Sequence, residues 1–299
     1  VATDNNEESY VSKFKDLKMP ELKLDMEDPH IRKLSKKVHY IDIETSLVEA
    51  GVFRTGTQYI QANQLSNTTK ILTVAGGSLF DLITKGEEGV WSLSNHRSST
   101  FKKDPLDDSE VLATVWDILD SAEVVIAHNA AFDKGWLMGR FLELGWKLPS
   151  RFFLFCTYQN LRPFNMTSKK LDEISRNLIG TKKISTDMEL WRRCSRGEKK
   201  AFEEMAAYNV GDIYNTMHKV YMRTAQYNPM KAIDFTNYGT EVITCRVDGQ
   251  YLEEDGTYFN RANGLEYIRY KNPRNGIVYR DRYNITSKKA GTGFVIPYV

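Results

Sequence analysis

The chain has 299 residues, 41 of them Lys or Arg and 39 Asp or Glu, for a net charge of +2. That balance argues against coating nucleic acid by bulk charge, while leaving room for a local basic face. With 41% hydrophobic and 12% aromatic residues, the composition excludes collagen-like, low-complexity and globally disordered chains and supports a real core. No apolar run approaches the roughly 18 residues of a membrane span, and the polar N-terminal stretch has no signal-like segment. Cys156, Cys194 and Cys245 are scattered, with no CxxC. They argue against a disulfide framework and for a reducing, cytoplasmic setting.

Residues 1–37 mix charges of both signs and are interrupted by Pro20 and Pro29. They read as a surface-draped arm whose Leu17, Met19, Leu22 and Leu24 can dock on the body. The body starts at Val38-His-Tyr-Ile-Asp-Ile-Glu, whose alternation predicts a strand. Residues 47–66 are polar and Gly/Thr-rich, as in a loop or hairpin. Ile71–Ala75 and Val90–Leu93 read as further strands. Apolar residues at helical spacing predict a helix over Asp108–Ser121, capped by Asp107 or Asp108. Val124–Ala127 is a short run suited to a strand buried on both faces. A helix is expected over Lys134–Leu144 before Gly145, a strand at Phe152–Phe155, and a helix over Lys170–Ile179 stopped by Gly180. A long helix is expected from Glu198 to about Met222. Three strands followed by alternating helices and strands indicate an α/β sheet flanked by helices. After a linker at 225–240, residues 241–299 are rich in Tyr, Gly, Arg and Asn. They read as a second, small β-rich module with strands at Glu241–Thr244, Tyr267–Tyr270 and Ile277–Arg280.

Three groups of polar residues interrupt this apolar frame. Asp42-Ile-Glu44 puts two carboxylates on one face of the first strand. Facing solvent is the plain alternative, but the apolar flanks suggest a central, partly enclosed strand. His128-Asn-Ala-Ala-Phe-Asp133 follows directly on the buried strand, at the end where open α/β sheets place ligands. Taken alone, Asp133 is as well read as a helix cap. Tyr208-Asn-Val-Gly-Asp212 sets a tyrosine and an acid one turn apart on the long helix. Each alone has an ordinary structural explanation.

In order, Asp-x-Glu, Asn-x-x-x-Phe-Asp and Tyr-x-x-x-Asp resemble the three motifs of the DEDD superfamily of 3′–5′ exonucleases. The tyrosine resembles its DEDDy branch, which includes polymerase proofreading domains and ribonuclease D-like enzymes. The stretches Lys170–Gly180, Met188–Trp191 and Phe202–Asp212 fit the same pattern, so the resemblance covers about residues 38–224. It implies a ribonuclease H-like mixed sheet flanked by helices. It also implies a single-stranded nucleic acid with a free 3′ end as substrate, DNA favoured over RNA, and nucleoside 5′-monophosphates as product.

Asp42, Glu44, Asp133 and Asp212 can converge only around cations. Their hard oxygens suit two Mg²⁺ or Mn²⁺ ions, which clamp the attacking and leaving oxygens of a phosphodiester. Tyr208 would orient the attacking water. Thr45, Asn129 and Phe132 are the expected substrate contacts, although Phe132 is equally well read as core. In the sister branch a histidine lies five residues before the last acid. Ala207 stands there in this chain, so His128 reads as structural. Lys169, Lys170, Lys182, Lys183, Arg192 and Arg193 fit either a phosphate-tracking edge or a solvated helix face. A replication or repair partner would supply any polymerase. The different-class alternative is a silent nucleic-acid-binding or protein-interaction module.

Cys245-Arg-Val-Asp248-Gly and Asn272-Pro-Arg-Asn275-Gly have the rhythm of two zinc knuckles. With one thiolate, one carboxylate and two amides at the ligand positions they resemble a zinc ribbon that has lost its metal, so no structural zinc is expected. The interleaved tyrosines and basic residues of 258–298 suit either single-strand binding or a small aromatic core.

Overall fold

The computed structural model describes residues 21–297 apart from 53, 55, 57–58, 228–231, 236, 241, 246–247, 262–263, 288–289, 292 and 294. Leu17 and Met19 of the expected docking set lie outside these. Leu22 and Leu24 do pack on the body, and Leu22 N–H donates to Met222 O at 2.9 Å.

The main sheet is built from β1 (Val38–Thr45), β2 (Ile71–Ser78), β3 (Trp91–Ser94), β4 (Val124–Ala127) and β5 (Phe153–Cys156) in the order β3-β2-β1-β4-β5. β2 runs antiparallel to β1 and to β3, while β4 and β5 run parallel to β1. That is the ribonuclease H-like mixed sheet. β1 is central, as its apolar flanks suggested. Ile41 and Ile43 face a core closed by α3 (Ser109–Ser121) and α4 (Ala131–Glu143). Tyr40 enters a second core with residues of α6 (Leu171–Ile179) and of the last helical stretch. Asp42 and Glu44 share the Tyr40 face, because successive strand side chains alternate.

Four helices, each of eight residues or fewer, were not legible in the sequence, and two of them precede the third strand. Within the expected arm, Pro29–Ser35 forms α1, capped by the Asp28 carboxylate, with Leu34 fully buried. Leu79–Lys85 forms α2, capped by Ser78. Both are only two turns long, too short for helical periodicity to show. α3 begins where expected, but Asp108 does not cap it. Its carboxylate is held by Arg140 Nε at 2.9 Å and Nη2 at 2.7 Å, and accepts from Ile71 N–H. Asp107 takes the N–H of Ser109 instead. After the short α5 (Thr157–Asn160), α6 stops at Gly180, whose φ of +70° favours glycine. α7 (Met188–Ser195) and α8 (Lys199–Gly211) follow. The expected long helix is interrupted: Asp212–His218 winds as π-helix before α9 (Lys219–Thr224).

The stretch 225–240, expected to be a linker, contributes Ile233, Phe235 and Tyr238 to the main core. The C-terminal sheet is antiparallel, β6 (Glu253–Asn260), β7 (Leu265–Lys271), β8 (Val278–Asn284) and β9 (Val295–Pro297). The strand expected at Glu241–Thr244 is absent among the described residues; only Thr244 bridges to Tyr251. Ring burial favours the aromatic-core reading of this module, with Tyr270 and Tyr279 packed around Cys245, Leu252 and Val295. At the four ligand-like positions, Asn272 and Asn275 donate their amides to Asp248 at 3.0 and 2.8 Å, and Cys245 Sγ lies 3.1 Å from Tyr279 Oη.

The module is fastened to the body through a buried carboxylate. Glu123, between α3 and β4, accepts from Tyr238 Oη at 3.1 Å and Tyr283 Oη at 2.7 Å. Glu123→Ala is therefore expected to lower unfolding free energy by about 1–3 kcal/mol, the penalty for orphaning buried polar groups. Urea denaturation checks this, and an unchanged midpoint would show that the contact does not hold the module.

Candidate metal centre

Asp42 and Glu44 leave one face of β1, and the first residue of the π-helical stretch brings Asp212 to them. Each offers an oxygen within 4.8 Å of the others. Asp133 closes the group from the far side of the sheet. It is buried in the first turn of α4, yet it does not cap that helix; Oδ1 accepts from Ile43 N–H at 3.3 Å, between the two β1 acids. Three of the four acids named from sequence thus form one close group, and Asp133 lies against the same strand beside it.

Burial raises their proton affinity, and for Asp42 and Glu44 repulsion from the other acids adds to it. Burial pushes Asp42 well above the ordinary carboxylate range, reinforced by Asp133, Asp212 and Glu44. Burial, then the Asp212 charge, lifts Glu44 to about 8. Burial lifts Asp133 to about 7, against the stabilising backbone N–H of Ile43. Asp212 is raised too, by burial, although Lys183 opposes this.

Tyr208 stands one turn before Asp212 and hydrogen-bonds to its carboxylate. Burial, then the Asp212 charge, pushes the phenol up to about 12. It stays protonated at neutral pH, which suits an orienting donor better than a base.

Three further residues belong to the site and were not assigned to it from sequence. Asn209 is fully buried, donates Nδ2 to Asp42 Oδ2 at 2.5 Å, and accepts from Thr73 Oγ1 at 3.4 Å. Its signal was a polar residue on the inward, apolar face of a helix. Trp191 hydrogen-bonds to Glu44 and packs edge-on against Tyr208 at 6.2 Å. Lys183, one of six basic residues grouped as an edge, reaches into the cluster with Nζ 2.6 Å from Asp212 Oδ2. The rest of that edge is dispersed. Arg193 is tied to Glu198 and Glu204, Arg192 to Glu189, and Lys182 is exposed.

The expected substrate contacts are placed unevenly. Phe132 is 44% exposed, edge-on to Trp136, so it is not core. Asn129, just before α4, has a φ of +58°, which asparagine tolerates better than most residues. Thr45 lies at an irregularity in the β1–β2 register. His128 is structural: its ring sits 2.8 Å from Thr157 Oγ1 and 3.0 Å from Lys169 O, leaving neither nitrogen free.

The donor set fits a hard divalent cation. It consists of carboxylate oxygens, and buried Asp212 Oδ1 has no hydrogen-bond partner among the described residues. The class so defined is a ribonuclease H-like α/β protein carrying an acidic cluster able to hold metal. No protein-family model matches the chain, and no curated protein does. Among solved structures, the RNase D of Trypanosoma brucei is similar over 70% of this chain, at 12% identity and a TM-score of 0.38. This chain spans 66% of that protein's length, just under two thirds.

Glu44 and Asp133 bind protons more tightly folded than unfolded. Their contribution to stability is full below about pH 4 and is lost as the pH rises through 7 and 8. In EDTA, thermal stability should therefore fall between about pH 6.5 and 8 and level off above that, and Mn²⁺ should remove most of that slope. The window lies above the range where the buried histidines His39, His128 and His218, all pushed down to about 4 by burial, contribute. Differential scanning fluorimetry across this window checks it; a flat EDTA profile would show that the acids are not frustrated.

Proposed function

We propose that the protein is a metal-dependent 3′–5′ exonuclease of the DEDDy type, cleaving single-stranded nucleic acid, DNA favoured over RNA, to nucleoside 5′-monophosphates. The observation that carries this reading is the convergence of Asp42, Glu44 and Asp212 within 4.8 Å, with Asp133 held against the same strand. Two Mg²⁺ or Mn²⁺ ions bound there would supply Lewis-acid charge to the attacking and leaving oxygens. The chain's own residues do the rest. Asn209 fixes the Asp42 carboxylate, and Trp191 fixes Glu44. Tyr208 holds its proton and orients the attacking water. Exposed Phe132 offers an aromatic face on which a terminal base can stack. Asn129 and Thr45 lie close by in sequence to these groups and complete the proposed strand contacts. A cytoplasmic setting with a replication or repair partner fits this activity.

The test is release of mononucleotides from labelled single-stranded DNA and RNA with Mg²⁺ or Mn²⁺, and its loss in EDTA. Asp42→Ala and Asp212→Ala should each remove most of the activity, since each vacates a ligand. Wild-type rates in Asp42→Ala would refute the metal assignment. Tyr208→Phe should slow cleavage by roughly 10²–10⁴-fold, the range for a positioned proton-handling group, with strand affinity unchanged. Full activity in that variant would reduce Tyr208 to packing.

A further inference from the structure

β5 is an outer strand of the main sheet, and a cavity of about 400 Å³ follows its edge, lined by Phe153 through Cys156. Its two ends differ. Cys156 pairs with Ala127, so Asn129, which also lines the cavity, lies at the carboxyl end of β5. At the other end Arg282 of β8 stacks on Phe153, with Cζ 3.4 Å from the ring centre. β1 runs parallel to β4 with Tyr40 opposite Ile126, which puts Asp42 and Glu44 beyond the same carboxyl end. The cavity therefore begins on the metal centre's side of the sheet and leads away from it to the C-terminal module.

The polar lining selects the chemistry of an occupant. Asn160, the last residue of α5, is fully buried and lines the cavity. Nδ2 donates to Thr224 O at 2.9 Å, which fixes the orientation of the amide. Oδ1 is left with no hydrogen-bond partner among the described residues. An orphaned buried acceptor is costly, and it calls for an N–H from whatever fills the space. Arg282 presents the opposite, N–H donors around a planar cation. A phosphate has no donor for Asn160, and an apolar chain satisfies neither group. A nucleobase meets both: it is flat, its faces stack on arginine and aromatic planes, and its edge carries donors and acceptors. The volume is that of a small-ligand site, enough for one base and too small for a duplex.

Resting on the exonuclease reading, we propose that this cavity is a nucleobase subsite for a nucleotide upstream of the scissile one. The base lies against the Arg282–Phe153 stack, donates an N–H to Asn160 Oδ1 and accepts from the Arg282 guanidinium. Its backbone passes Asn129 on the way to the metal centre. The C-terminal module then takes part in strand binding through one built contact and not through charge spread over its surface.

The experiment uses the full chain in wild-type, Arg282→Gln, Ala131→Trp and Arg269→Gln forms. Ala131 is exposed and lines the cavity, so an indole there fills the space from its rim without entering the core. Arg269 belongs to the same module but pairs with Asp255 at 3.0 Å, away from the cavity. Fluorescence anisotropy in Ca²⁺ reads the binding of single-stranded oligodeoxynucleotides with a 3′-terminal phosphorothioate linkage, each carrying one abasic position moved stepwise back from the 3′ end. Wild type is expected to lose affinity roughly ten- to hundredfold at one upstream position, the range for one stacked base, and much less at the positions beside it. In Arg282→Gln and Ala131→Trp the intact strand should bind more weakly and that extra loss should disappear, while Arg269→Gln keeps the wild-type profile. The wild-type scan depends on no variant folding. A profile with no special upstream position would overturn the subsite, as would a special position that persists in both cavity variants. The same change in Arg269→Gln would reduce the effect to general charge and overturn it too. Deoxynucleoside monophosphates that bind in an Arg282-dependent way, beside a flat abasic profile, would assign the cavity to a free nucleotide and overturn the strand contact. Wild type that binds no strand at all would defeat the exonuclease reading itself, whereas strand binding indifferent to the abasic position would defeat this inference alone.

Discussion

Asp42 and Glu44 leave the same face of one strand, and two more carboxylates converge on them from separate helices. Repulsion in so small a space would scatter the groups or protonate them unless the surrounding fold opposed it. The means of opposition are visible residue by residue. An amide from Asn209, an indole from Trp191, a backbone N–H from Ile43 and an ammonium from Lys183 each face one carboxylate. The first three sit on elements whose own packing is apolar. The cores on the two faces of the sheet thus hold β1, α4 and α8, and hydrogen bonds to Asp172 and Asn215 hold the Lys183 loop, firmly enough to keep like charges together.

The π-helical stretch from Asp212 to His218 belongs to the same problem. A π turn widens the helix locally and is most often found where function outweighs regular hydrogen bonding. Here it begins at the acid that must reach β1. The widened turn is secured from within by Thr216 Oγ1 donating to Asp212 O at 2.6 Å. Immediately before it, α8 keeps regular geometry. That regularity sets Tyr208 one turn from Asp212 and points Asn209 at Asp42.

Much of this was legible in the sequence because the signals were local. Alternation in Val38–Glu44 and the buried run Val124–Ala127 predicted β1 and β4, and the acids fell in strands and helices of the expected kind. What stayed hidden depended on long-range contact. Asp108 has every local mark of an N-cap, yet its charge is used on Arg140, 32 positions along the chain. Lys183 looked like a surface lysine because the acid it pairs with, Asp212, lies far along the chain on another element. Asn209 lay inside a motif but at a position without an assigned role. The π stretch has no periodicity signal distinct from α-helix over seven residues. The segment 225–240 read as a linker because its apolar residues follow neither helical nor strand spacing, although Ile233, Phe235 and Tyr238 are buried one by one.

The C-terminal module inverts the electrostatics of the zinc ribbon that its spacing resembles. A ribbon places a cation at the centre, and its ligands present lone pairs. In this chain an anion, Asp248, stands among groups that present hydrogens, the Asn272 and Asn275 amides. The hydrogen bonds, from a fully buried Asn272 and a more exposed Asn275, fix the two knuckles relative to each other. The rest of the module's order comes from its rings. Tyr270 and Tyr279 form its small core, while Tyr283 belongs to the core of the main body and bonds to Glu123. A zinc ribbon can hold itself together as a free-standing unit through its metal. A ribbon held by rings and by a carboxylate of another layer is stable only in place. Whatever the module contributes to substrate handling is therefore tied to its position beside β4 and α3.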